Sequence, residues 1–292
     1  MRDNGDDRRL TTDDRLRQTA DGGRITADGG RITAREWKVV GASVAGTSHL
    51  RAELPCQDAH LISYEEGGGL LVAVADGAGS APRSGEGAHR AVARSLAALK
   101  VATQQPPQDE SGWREAMAFA FAEAREALVN LAQSEGEPLP AFSTTLTCVA
   151  AVDGWLAVGQ IGDGAVVFQE EDGTLHTAVQ PHRGEYANET RFVTSPGALD
   201  FVEVRALAQE VRALAVTTDG LLKLALLMPD YVPHPPFFDP LLKWVAQMES
   251  AAVGEEELSA FLASERVSAR TSDDKTLVLA TRRLPPAGDG LT

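Results

Sequence analysis

The 292-residue chain predicts an α+β fold built on antiparallel sheets. Two observations predict it. Strand-like segments come in pairs joined by short glycine-containing turns, and hairpin connections make neighbouring strands antiparallel. Helical segments come in two separate pairs instead of one after each strand, which argues against alternating βαβ units.

In chain order, residues 1–35 read as a disordered tail. Thr19-Ala-Asp-Gly-Gly-Arg-Ile25 is repeated at once as Thr26-Ala-Asp-Gly-Gly-Arg-Ile32. Eight Arg, seven Asp and almost no large apolar side chain leave this stretch too little to bury. The folded domain is expected over 36–284, with a second short tail over 285–292. Lys38 to Val44 reads as the first strand. Ala59 to Tyr64 and Leu70 to Ala75 read as a hairpin turning at Glu65–Gly69. Ser84 to Lys100 has helical spacing, with Val92, Leu96 and Leu99 on one face. A Pro-rich loop follows, then a helix over Trp113 to Gln133 with Met117, Phe121, Ala124 and Leu128 in register. Thr144 to Ala151 and Trp155 to Ile161 flank Asp153-Gly154, and Ala165 to Phe168 and Leu175 to Val179 flank Asp172-Gly173. Residues 181–200 read as irregular. Val211 to Thr217 is a strand, Pro240 to Met248 and Glu255 to Ser264 are helices, and Leu277 to Thr281 is the last strand.

Composition narrows the function. A formal net charge of −15 argues against non-specific nucleic-acid binding, which needs basic surface to displace counterions, and against docking on anionic lipid. Two cysteines, Cys56 and Cys148, build neither a disulfide framework nor a zinc site. No apolar run reaches the ~18 residues of a membrane span, and the polar N-terminus lacks a secretory pattern. A cytoplasmic protein is the expectation.

The carboxylates carry the chemistry. Asp-Gly is a common turn dipeptide, so Asp153 and Asp172 read as plain hairpin turns. Asp76 differs, because it ends the apolar run Leu70-Leu-Val-Ala-Val-Ala and precedes Gly77-Ala-Gly-Ser80. Asp219-Gly220 repeats the arrangement after Leu214-Ala-Val-Thr-Thr. A strand end holds a carboxylate rigidly, and several such groups in one cleft bind hard divalent cations through oxygen. Asp58 and His60, two apart at a strand start, share a face. One is a candidate oxygen ligand and the other a candidate proton donor.

Taken in order, six short motifs resemble the metal-dependent 2C-type (PPM) Ser/Thr protein phosphatases. They are Gln57-Asp58-Ala59, Val74-Ala-Asp76-Gly77-Ala-Gly79, Ser143-Thr-Thr145, Ile161-Gly-Asp163-Gly164, Thr218-Asp219-Gly220 and Asp273-Asp274-Lys-Thr276. The resemblance covers about residues 38–282. It implies a four-layer αββα sandwich, two central antiparallel sheets flanked by helix pairs. It also implies two Mn²⁺ or Mg²⁺ ions, with a third in bacterial members. Asp76 would bridge two ions and the Gly77 carbonyl would bind one of them. Asp219 and Asp273 would complete the first site, Asp58 would hold water at the second, and Asp163 with Asp219 would form the third. The implied activity is hydrolysis of phosphoserine and phosphothreonine by activated water, without a phosphoenzyme. A phosphorylated protein would be the substrate, the target of a cognate Ser/Thr kinase.

Two departures mark a divergent bacterial subgroup. Family members usually carry an arginine shortly before the Asp58 motif to grip phosphate. Here His49 holds that place by spacing, and Arg51 is the alternative. The segment Arg183–Pro196, where the family has a flap, has its own sequence. These departures motivate one competing reading, a non-catalytic interaction module on the same fold. A second, a hydrolase of small phosphoesters, rests on the fact that short acidic metal sites serve such substrates equally well.

Overall fold

The computed structural model describes residues 37–65, 67–179 and 190–282. The readings for 1–35, for 285–292 and for the start of the Arg183–Pro196 segment lie outside these residues.

The elements are β1 (Trp37–Val44), α1 (Thr47–Arg51), β2 (Ala59–Glu65), β3 (Gly69–Ala75), α2 (Ser84–Ala102), α3 (Glu110–Glu135), β4 (Leu146–Val152), β5 (Trp155–Ile161), β6 (Ala165–Gln169), β7 (Leu175–Val179), β8 (Glu203–Leu207), β9 (Ala213–Thr217), α4 (Leu222–Ala225), β10 (Leu226–Leu227), β11 (Val232–Pro233), α5 (Pro235–Gln247), α6 (Ala251–Ala263), α7 (Glu265–Ser268) and β12 (Lys275–Arg282). One five-stranded sheet runs β1-β12-β9-β6-β7 and the other β2-β3-β4-β5-β8. Neighbours in both are antiparallel. Both Asp-Gly pairs fall inside hairpins; Asp153-Gly154 is a two-residue turn between Val152 and Trp155, whereas Asp172-Gly173 lies in the longer connection between Gln169 and Leu175. At the first, both residues have positive φ, 50° and 79°.

Three apolar layers set the four-layer order. Alternation along β3 explains its unbroken hydrophobic run. Leu70, Val72 and Val74 face the other sheet beside Val216 and Val278. Leu71, Ala73 and Ala75 face the opposite way, packed with Leu96 of α2 and Met117 and Phe121 of α3. In the other sheet, Leu277 and Leu279 of β12 pack with Phe238, Leu242 and Val245 of α5 and Leu258 of α6. A strand buried on both faces needs no polar alternation. The α+β sandwich expected from the sequence is the fold observed.

The corrections lie at element ends and in short pieces. β4 begins at Leu146, not Thr144, because Thr144 instead makes a single bridge to Gly77. α5 begins at Pro235, five residues before the reading at Pro240. Proline is accepted in a first helical turn, where its missing N–H has no intrahelical acceptor. α1, α4, α7, β8, β10 and β11 were not read from the sequence. Among the described residues no helix is long and apolar enough to cross a membrane.

Candidate active site

The expected aspartates lie at the ends of strands from both sheets, and threonines fix them. Asp76 follows β3. Its N–H donates to Thr145 Oγ1, 2.9 Å, and its carbonyl accepts from the Thr145 N–H and from Thr144 Oγ1, 2.9 Å each. Two residues on, Ala78 donates its N–H to the Ser143 carbonyl, 2.9 Å. The Ser143-Thr-Thr145 motif is therefore the cradle of the Asp76 backbone.

Asp58 precedes β2 and is 2% exposed. Its Oδ2 accepts from Thr218 Oγ1 and Thr276 Oγ1, both at 2.9 Å. Thr276 is in β12 and Thr218 directly follows β9, both on the side of the other sheet, so Asp58 is held across the sandwich. Thr276 Oγ1 also meets Ser43 Oγ at 2.7 Å, and Ser43 Oγ meets His60 Nδ1 at 2.8 Å. With an ionised Asp58 each hydroxyl has one proton to give, so the chain of donors runs from His60 Nδ1–H to Asp58. His60 lies in the layer between the sheets, behind Ser43 and Thr276. Burial drives its imidazole down to about 4, with nearby His89 adding to the effect, so it is neutral at neutral pH.

Asp219 opens the turn after β9, and Asp273 opens the approach to β12. Two glycines let these loops touch. A Cβ on Gly220 would fall 2.0 Å from the Asp274 carbonyl oxygen, and one on Gly46 would fall 2.3 Å from that of Asp273. Gly77 packs against the Gln57 carbonyl. Asp163, after β5, accepts from Thr190 Oγ1 at 2.8 Å.

The acids are electrostatically frustrated. Burial pushes the Asp58 carboxyl up to about 7; its two threonine partners oppose this, and the Asp274 and Asp219 charges add to it. Burial raises Asp219 to about 6, with the charges of Asp163 and Asp273 adding. Asp76 stands well above the usual carboxylate range, first through burial, then through the charges of Asp58 and Asp219. The interaction between the two carboxyls raises Asp76 further and lowers Asp219.

These residues fit hard divalent ions. Among the described residues, no three His, Cys, Asp or Glu side chains form a ready-made cage. An ion such as Mg²⁺ keeps several of its waters, so it needs no closed cage of side chains. Asp58 Oδ1 and Asp219 Oδ1 are buried without a hydrogen-bond partner. A buried, unpartnered carboxylate oxygen is costly unless a cation meets it.

The two sequence candidates for phosphate contact part ways. Arg51 is exposed at the end of α1. His49 is held, because its Nδ1 lies 2.6 Å from Asp274 Oδ1. Asp274 is the functional residue the sequence reading left without a role, although it sits in the Asp273-Asp274-Lys-Thr276 motif. A cavity of about 370 Å³ elsewhere is lined by Phe168, His176, Arg205, Gln209 and Tyr231 among others. It contains none of the converging aspartates, so the aspartate end is the candidate site.

A family model described as Protein phosphatase 2C matches residues 45–263. Serine/threonine-protein phosphatase 3 of Escherichia coli (strain K12) is 38% identical over 261 residues, spanning 84% of this chain and 98% of that protein. Among solved structures, a bacterial serine phosphatase aligns with a TM-score of 0.58 at 14% identity, covering 87% of this chain and 99% of its own. The serine/threonine phosphatase Stp1 from Staphylococcus aureus aligns with a TM-score of 0.55 at 14% identity, covering 86% and 98%. These two likenesses carry the fold.

Proposed function

The chain belongs to the protein phosphatase 2C family and is a serine/threonine protein phosphatase; from that premise we propose that its hydrolysis runs at the aspartate end of the sandwich. Asp76, the Gly77 carbonyl, Asp219 and Asp273 would hold one divalent ion. Asp76 would also reach a second, where Asp58 would hold its water, and Asp163 with Asp219 would form a third site. Mn²⁺ or Mg²⁺ supplies a low water pKa near neutral pH and offsets phosphate charge. The chain's own part is positional. Thr144 and Thr145 fix Asp76, and Thr218 and Thr276 turn Asp58 so that Oδ1 stays open. His60 serves as the far end of that donor chain. The observation that carries this reading is the pair of buried, unpartnered oxygens on Asp58 and Asp219. The substrate is a protein phosphorylated on Ser or Thr by a kinase in the same cytoplasmic compartment.

The test is phosphate release from a phosphothreonine peptide and from p-nitrophenyl phosphate, with Mn²⁺, with EDTA, and in Asp76→Asn. Release should require Mn²⁺. The variant should lose more than the ~10–100-fold typical of changes one step removed from a metal. Full activity in Asp76→Asn sinks the assignment.

A further inference from the structure

Asp163 sits in a turn between two glycines, directly after β5. Gly162 has φ 125°, and a Cβ there would fall 2.5 Å from the Thr145 Cβ. A Cβ on Gly164 would fall 2.7 Å from the Thr217 carbonyl oxygen. The turn is thus wedged between two supports of the site. One is the threonine that accepts the Asp76 N–H, and the other is the end of β9, which leads into Asp219.

The side chain that holds this turn is Gln160 of β5, which is 2% exposed. Its Nε2 donates to the Gly164 carbonyl at 2.7 Å and reaches the Gly162 carbonyl at 3.4 Å. One amide therefore grips the backbone on both sides of Asp163. Both partners only accept, so the nitrogen faces them and Oε1 faces away. Oε1 is buried and has no donor among the described residues. A buried acceptor without a donor costs stability. An apolar side chain of similar length would avoid that cost, but it would leave the two carbonyls without their donor. Packing alone does not account for an amide at this position.

What the turn carries is a charge close to another. After burial, the charge of Asp163 is the largest cause of the raised Asp219 carboxyl. Like charges held together disfavour each other's ionisation, and a cation between them reverses that.

We propose that Gln160 is the positioning residue of Asp163: its amide sets the 162–164 turn so that the Asp163 carboxylate meets a divalent ion shared with Asp219. The proposal rests on the reading that these two aspartates form an ion site.

The test is Mn²⁺ binding to the full chain by calorimetry, beside the Tm of the metal-free protein. The Mn²⁺ that Asp163→Asn weakens identifies the ion concerned. Gln160→Met removes the donor and keeps the chain length. It should weaken that same Mn²⁺ about ten-fold, the low end for a partner one step behind a metal ligand. The other Mn²⁺ affinities should stay within about three-fold. Gln160→Asn keeps an amide but draws it back from the turn, and should weaken the same Mn²⁺. Gln160→Met should add little to Asp163→Asn, because the two residues act as one unit. A side chain that served packing alone would lower the Tm and leave these affinities as they were.

Unchanged Mn²⁺ binding in both Gln160 variants while Asp163→Asn loses it overturns the positioning role and leaves the ion site standing. Equal loss at every Mn²⁺, or full additivity with Asp163→Asn, overturns it too. If Asp163→Asn itself loses no Mn²⁺, the ion-site reading fails and the positioning role falls with it.

Discussion

At the residue scale, the site trades stability for ion binding. The metal-free protein holds protons on Asp219 and Asp58 that the unfolded chain loses near 3.8. Carboxyls raised in the folded state stabilise it fully below that value, and the contribution fades as pH climbs through about 6 for Asp219 and about 7 for Asp58. The chelated wild type should therefore melt at progressively lower temperature from pH 5 to pH 8. Asp219→Asn should flatten that decline and melt higher at pH 8, while losing the rise that Mn²⁺ gives. Thermal melts across pH check both, and an unchanged pH slope refutes the account. The aspartates themselves were legible in the sequence because Asp76 and Asp219 end apolar strands. Their partners were not. Thr218 and Thr276 lie 160 and 218 positions from Asp58, and no local pattern links residues that far apart. Asp274 was overlooked for the same reason, since its ligands Gly46 and Gln57 are 228 and 217 positions away.

At the element scale, legibility followed burial. β3 and β12 are enclosed on both faces and read as unbroken apolar runs. β8, Glu-Val-Arg-Ala-Leu, lies at a sheet edge with one exposed and two half-buried residues among its first three, so its pattern is weak. β10 and β11 are two residues each, below the length at which periodicity means anything. Helix α3 does more than cover a sheet. Its Arg125 Nη1 donates to the carbonyls of Val193 and Ser195, while the Val193 N–H donates to the Thr144 carbonyl at 2.9 Å. Ser143 Oγ and Thr194 Oγ1 meet at 2.7 Å. The stretch 193–195 is thereby tied to the cradle of Asp76. Arg125→Met should cost about 2 kcal/mol, the scale of hydrogen bonds from a charged donor. Hydrogen exchange should quicken at Val193 and at Thr145 together. Quickening at Val193 alone would show that the strap and the cradle are independent.

At the scale of the whole molecule, the six motifs scattered over residues 57–276 become one site only because the two sheets stack with their strand ends aligned. Ions bound at the proposed site would join residues of both sheets and so would belong to the fold as much as to the reaction. Saturation at about 100 times Kd should add ~2.7 kcal/mol of stability, read as a higher Tm that EDTA reverses; a Tm indifferent to Mn²⁺ would contradict the shared site. The position of β12 has a further consequence. Among the described strands it comes last in sequence yet lies between β1 and β9, and it begins two residues after Asp273. A nascent chain that has not yet released residues 273–282 from the ribosome lacks a strand in the interior of one sheet and one acid of the site. Activity at the proposed site would therefore wait until residues 273–282 have emerged, and products broken off before them would carry no partial phosphatase.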